Sequence, residues 1–183
     1  LTNMVSARIS DLSHVKCSAN WMWAAKLPGE GTRLYDAAIA MRDLMIKLGI
    51  AVDGGKDSIT TAAKVGDVTE KAPGELVISG YTTVPDITNK TTPDIKRPGK
   101  SKLIFLDLAA GKNRFGGSAL AQAIGQLGDE APDVDNPQIL INAFQVIQRM
   151  IDDNLLLAYH DRSDGGLITT LIEMAMAGNC GIA

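Results

Sequence analysis

The chain has 183 residues, 45% of them apolar and 21% charged, with a formal net charge of −3. That is enough for one globular domain or two small ones, and it excludes collagen-like and disordered classes. No window approaches the ~18 consecutive apolar residues of a membrane helix, the first residues lack a signal-peptide pattern, and the acidic balance leaves no broad basic surface, so a cytosolic protein without membrane or nucleic-acid partners is expected.

Leu1, Met4, Val5, Ile9 and Leu12 recur at helical spacing and predict a first helix over 1–12. Residues 15–23 read as extended chain, with Trp21, Met22 and Trp23 as core, and 28–31 as a loop. Thr32 then reads as the N-cap of a helix striped by Leu34, Ala38, Met41, Met45 and Leu48, and Gly49 as its stop. Residues 50–52 lead into a glycine-rich loop over 53–58, and 76–84 read as a strand. Pro85, Pro93 and Pro98 stand in a stretch without apolar periodicity, which marks a boundary between two units.

Beyond it the pattern alternates. Residues 103–106 predict a strand, 111–117 a loop and 118–127 a helix. Leu140, Phe144, Ile147 and Ile151 stripe a second helix, 155–159 predict another strand, and Leu167, Leu171 and Met174 stripe a third helix. Strands alternating with amphipathic helices give an α/β layered fold, with helices over one face of a sheet whose strand order, parallel or mixed, stays open. The chain starts at Leu1 rather than Met and stops at Gly181-Ile182-Ala183, where the pattern predicts the opening of a strand, so it reads as a piece of something longer.

Chemistry concentrates in 155–167, where an apolar run delivers His160, Asp161, Ser163, Asp164, Gly165 and Gly166 into a turn that opens a helix. Ligands gather at such places in open sheets, because helix N-termini carry unpaired N–H groups and glycines allow close backbone approach. Asp161 suits Mg²⁺, a hard cation, and Ser163 a phosphate or nucleoside oxygen. The alternative is local: Ser163 or Asp164 caps the helix and Asp161 pairs with Arg162 or a lysine.

A second candidate, Asp53-Gly54-Gly55-Lys56-Asp57-Ser58, is not a Walker loop. Ile50 stands where the first glycine belongs, and Asp57 follows the lysine. A glycine-rich turn with Lys56 set against phosphate remains, beside a plain solvated turn. The loop 111–118, with Lys112 and Arg114, is weaker. Cys17 and Cys180 lack metal spacing and read as buried reduced thiols, and His14 and His160 alone cannot build a histidine zinc site.

Taken together these stretches resemble the large form of phosphoribosylformylglycinamidine synthase, the ATP-dependent amidotransferase of purine synthesis. The residues that carry the resemblance are Leu1-Thr2-Asn3, 16–22 (KCSANWM), 28–30 (PGE), 34–37 (LYDA), 55–58 (GKDS), 76–79 (LVIS), 160–166 (HDRSDGG), and 173–175 with 177–181. The resemblance implies aminoimidazole-ribonucleotide-synthase-like units in two duplicated halves. On it, 1–98 are the latter part of the second N-terminal unit and 99–183 the first part of the second C-terminal unit. It makes Asn3 and Asp161 Mg²⁺ ligands and Ser163 a contact of bound ATP or ADP; Lys56 and Gly165 join the expected nucleotide-binding residues from the reading of the glycine-rich turns.

The parent reaction it implies joins formylglycinamide ribonucleotide, glutamine and ATP. The family's other metal ligands, its catalytic histidine and its glutaminase triad match nothing in this chain. The segment is therefore expected to be inactive alone and to depend on the rest of the same polypeptide, and because the resemblance places a tightly held auxiliary nucleotide in this half, Asp161 and Ser163 are expected to serve structure more than turnover. Two other readings are a non-catalytic structural subdomain and a related aminoimidazole ribonucleotide synthase or selenophosphate synthetase. The Asn20-Trp21 segment speaks against the latter.

Overall fold

The computed structural model describes residues 1–182, which fall into two compact units, Ser10–Thr83 and Leu1–Ile9 with Val84–Ala183. Neither contains a helix long and apolar enough to cross a membrane among the described residues.

The Ser10–Thr83 unit holds strands β1 (Lys16–Met22), β2 (Ala51–Ser58), β3 (Ala62–Val65), β4 (Val68–Lys71) and β5 (Glu75–Tyr81), and helix α1 (Glu30–Leu48). A three-stranded sheet runs in the order β2-β1-β5, with β2 parallel and β5 antiparallel to β1, so the order is mixed. The crossover from β1 to its parallel neighbour needs a long connection, and α1 supplies it. Gly49 ends α1 in the left-handed region at φ 70°, as its position after the last apolar stripe residue predicts. The start differs. Gly29 is the N-cap, and Thr32 lies inside the first turn, because Glu30 begins the helix while bonded elsewhere.

Three expectations are corrected in this unit and at the chain start. The 1–12 stripe is not one helix but two 3₁₀ turns, Met4–Ser6 and Leu12–His14, with Asp11 capping the second through the Ser13 N–H. Residues 53–58 are not a loop but most of β2. Gly55 sits at φ 155°, and a Cβ there would lie 2.1 Å from Ala19 O, so β2 passes β1 where only glycine fits. Trp21, Met22 and Trp23 are half-buried, not core; Val15, Cys17, Ala19, Ala24, Leu48 and Ile50 are the buried apolar residues.

One charged side chain is buried with them. The Glu30 carboxylate accepts from Trp23 Nε1 at 3.0 Å, from Lys71 Nζ on β4, and from Arg33 at 3.4 Å, tying the β3–β4 hairpin to the start of α1. The Lys71 hydrogen bond holds its carboxyl below the usual range, outweighing the desolvation that pushes the other way. A depressed folded value means stability that is fully present above the unfolded glutamate value of about 4.3 and lost as pH falls through the folded one. Chemical denaturation is expected to give wild type a clear advantage over Glu30→Gln at pH 7 that shrinks progressively as pH falls below the unfolded glutamate value. An advantage unchanged at pH 3 would contradict this role.

The other unit holds α2 (Ala119–Ala123), α3 (Pro137–Asp152) and α4 (Leu167–Ala177). Its helices follow the predicted stripes, with Phe144, Ile147, Ile151 and Met174 buried, although α2 is much shorter than 118–127. The predicted strands at 103–106 and 155–159 are absent. A strand exists only where a neighbour takes its N–H and C=O groups, and among the described residues neither segment has a ladder partner; Leu103 to Leu106 stay half-exposed or more.

The first nine residues are held in this unit. Ala7 pairs antiparallel with Lys90, and the ladder continues through Arg8 N to Asn89 O and Thr91 N to Ser6 O. Gln148 of α3, itself buried, donates through Nε2 to Val5 O (2.9 Å) and Ala7 O (3.0 Å) and accepts through Oε1 from Ile9 N (2.7 Å). Arg8 Nε reaches Asp152 at 2.5 Å.

Candidate functional site

The turn between the 155–159 segment and α4 is built by two glycines at positive φ, Gly165 at 107° and Gly166 at 91°. A Cβ on Gly165 would lie 2.7 Å from Thr169 Oγ1, and Gly166 is the N-cap of α4 without a side-chain acceptor. The neighbouring helices differ: Ser118 caps α2 and Asn136 caps α3, each accepting a backbone N–H. The first turn of α4, 167–169, thus opens with backbone donors and the positive end of its dipole directed out of the helix.

Asp161 precedes this turn. Its Oδ1 accepts from Asn3 Nδ2 at 3.4 Å and its Oδ2 from Thr2 Oγ1 at 3.5 Å, across 158 residues of chain in the first case. Tyr159 fastens the same junction from below, its hydroxyl donating to Thr2 O at 2.7 Å. Burial, helped by the Asp161 charge, pushes the Tyr159 phenol up to about 12, so it stays a neutral donor. The convergence of Asn3 and Asp161 is therefore prepared from both sides: Gln148 and the Ala7–Lys90 ladder place the first residues, and Tyr159 locks them to the turn.

Ser163 faces α4. Its Oγ donates to Glu173 Oε2, its N–H bonds Thr170 Oγ1 at 2.9 Å, and Thr170 Oγ1 also lies 3.3 Å from Ser163 Oγ. His160 Nε2 lies 3.3 Å from Glu173 Oε2, and its Nδ1 meets Asp161 O at 2.6 Å. The local alternatives for this motif are overturned. Ser163 caps nothing; Asp164 Oδ1 takes the Ala119 N–H, at 3.4 Å; and the Arg162 guanidinium lies over the Phe105 ring, at 5.7 Å, rather than on Asp161.

Of the residues singled out in the sequence, Asn3, Asp161, Ser163 and Gly165 lie in one unit, the first two in mutual contact. Lys56 lies on β2 of the other unit, where its Nζ donates to Ser58 Oγ. The 111–118 loop spends its cations locally: Lys112 and Arg114 both pair with Asp135, at 3.2 and 2.7 Å. Both cysteines are free thiols, Cys17 buried and Cys180 only half-buried, so the expectation of two buried thiols holds for the first alone. Glu173 and Thr170 escaped the sequence reading as site residues. Their i, i+3 spacing was the available signal, since it puts both on the side of α4 that meets Ser163.

Among the described residues no three His, Cys, Asp or Glu side chains form a metal-binding group. Residues 1–83 match the FGAR-AT PurM_N-like domain and residues 101–183 the AIR synthase related protein C-terminal domain. Along its whole length the chain is 56% identical to human phosphoribosylformylglycinamidine synthase, 56% to a probable chloroplastic/mitochondrial one of Arabidopsis thaliana, and 53% to that of Dictyostelium discoideum. It spans 14%, 13% and 14% of those proteins respectively.

Proposed function

We propose, from the premise that this chain belongs to the FGAR-AT PurM_N-like and AIR-synthase-related C-terminal domain families and is similar over its own length to one stretch of phosphoribosylformylglycinamidine synthases, that it is the part of such a ligase that holds a Mg²⁺-nucleotide. The whole enzyme would join formylglycinamide ribonucleotide, glutamine and ATP to give the amidine, in the cytosol, with the rest of the same polypeptide supplying the reacting groups. What carries the reading for this segment is the meeting of Asn3 with Asp161.

The donor set fits the cation. A carboxylate and an amide oxygen are hard ligands, and a half-turn of the Asn3 amide brings its oxygen beside Asp161. Mg²⁺ keeps several waters and takes few protein ligands when phosphates complete its shell, so two suffice without a third acidic group. Bound there, the cation supplies charge neutralisation to phosphate oxygens. The chain's own residues do the rest. Asp161 and Asn3 hold the cation, the open first turn of α4 offers backbone N–H groups to a phosphate, Gly165 and Gly166 let that phosphate approach the backbone, and Ser163 stands at the rim. Lys56 is a further candidate phosphate partner on its own unit.

A structural turn without ligand is the second reading, favoured by the closed set of bonds among Ser163, Thr170 and Glu173. Removing divalent metal separates the two. Chelation of the full-length enzyme is expected to release adenine nucleotide into the filtrate, and magnesium alone among added ions to restore uptake. Nucleotide content indifferent to chelation would count against the first reading.

A further inference from the structure

We infer that Glu173 is a positioning residue that turns Ser163 into a hydrogen-bond acceptor, so that Ser163 meets a donor group of the nucleoside part of the ligand and not a phosphate oxygen. This rests on the nucleotide reading above. A serine hydroxyl owns one hydrogen. Here that hydrogen goes to Glu173 Oε2, which leaves lone pairs as all that Ser163 Oγ has for a ligand. Thr170 is the weaker competitor for that hydrogen: its neutral hydroxyl oxygen already accepts the Ser163 N–H at 2.9 Å and directs its own hydrogen to Gly166 O at 3.1 Å and Ser163 Oγ at 3.3 Å, whereas Glu173 offers a carboxylate.

Phosphate oxygens only accept, and they would face the Ser163 lone pairs with no hydrogen between. Ribose hydroxyls and an exocyclic amine do carry one. The division of labour follows: phosphate to the uncapped start of α4, where the backbone supplies N–H groups, and a donor of the sugar or base to Ser163. Glu173 touches the ligand nowhere in this scheme; it acts through the hydroxyl whose direction it fixes, with His160 Nε2 at 3.3 Å steadying the same carboxylate oxygen.

The test titrates full-length enzyme, stripped of nucleotide, with Mg²⁺-ADP and separately with Mg²⁺-pyrophosphate by calorimetry. The heat missing in an Asp161→Ala protein defines this site. Ser163→Ala and Glu173→Ala are each expected to weaken Mg²⁺-ADP about tenfold and to leave Mg²⁺-pyrophosphate unchanged. The double variant should be no weaker than either single one, and Glu173→Gln, which keeps an acceptor oxygen, should stay within about threefold of wild type. Unchanged pyrophosphate binding also shows that each variant is folded, and Ser163→Ala serves should Glu173→Ala not fold. Parallel loss of both ligands, or losses that multiply in the double variant, overturns the inference while the site stands. Wild type that takes up no Mg²⁺-ADP overturns the nucleotide reading with it.

Discussion

Full-length wild-type enzyme is expected to keep adenine nucleotide and magnesium at this site through purification, and Asp161→Ala to emerge without them, with affinity lowered about a hundredfold or more. The reason is electrostatic. Asp161 is the one formal negative charge of the proposed ligand pair, and Asn3 alone offers a neutral dipole to a divalent ion carrying phosphate. Asp161→Asn sharpens the result. It keeps the shape, and an oxygen for Thr2 or Asn3 to bond, so the junction of the first residues with the turn survives while the charge is gone. Both variants should therefore lose nucleotide, and only the alanine should also loosen the Thr2–Asn3 segment, seen as faster amide exchange there. Nucleotide and metal content equal to wild type in the alanine variant would end the case for a cation at this place.

Gln148→Leu should lower stability by about 3 kcal/mol, because the swap leaves Val5 O, Ala7 O and Ile9 N without partners in a region where Val5 and Ile9 are almost wholly buried. For a unit of this size that is a fall of roughly 10 °C in melting temperature. The effect is expected to travel. With the grip of α3 on residues 5–9 reduced to the Arg8–Asp152 pair, Asn3 relies on that pair, Tyr159, the Ala7–Lys90 ladder and the hydrogen bonds to Asp161, so nucleotide affinity should drop although Gln148 lies outside the ligand's reach. Thermal unfolding and nucleotide titration on the same protein check both parts. A melting temperature within about 2 °C of wild type would refute the structural half.

What could be read from the residues divides by how far away an element's partners lie. Helices satisfy their own backbone groups, so the stripes of α1, α3 and α4 sufficed, and Gly49 marked an end correctly. Residues 103–106 and 155–159 have the apolar content of strands but need neighbours to become so, and no local pattern supplies them. Residues 53–58 failed for the opposite reason. Glycines read as a turn until the Ala19 backbone, pressed against Gly55, explains them as close packing inside a strand.

The site divides the same way. The Asp161-to-Gly166 turn announced itself by its residue types, whereas Asn3 has no local distinction at all. Only resemblance drew it in, and only tertiary structure sets it against Asp161. Glu173 lay in plain view on a helical face, but its value depends on the single hydrogen of Ser163, which no spacing reveals.

Because Leu1–Ile9 belongs with the chain that follows Val84, the Ser10–Thr83 unit is complete in sequence before its host is. During synthesis the βαβ sheet and its hairpin can leave the ribosome and fold while residues 1–9 wait, for the ladder at Asn89–Thr91 first and for α3 and the Asp161 turn much later. Closing so wide a loop carries an entropic cost that grows only with the logarithm of its length, and a prefolded unit in its middle shortens the effective span. The return of residues 1–9 is then expected to be the slow step of assembly, and substitutions that weaken their ladder should spare the β2-β1-β5 sheet while leaving the other unit unfinished.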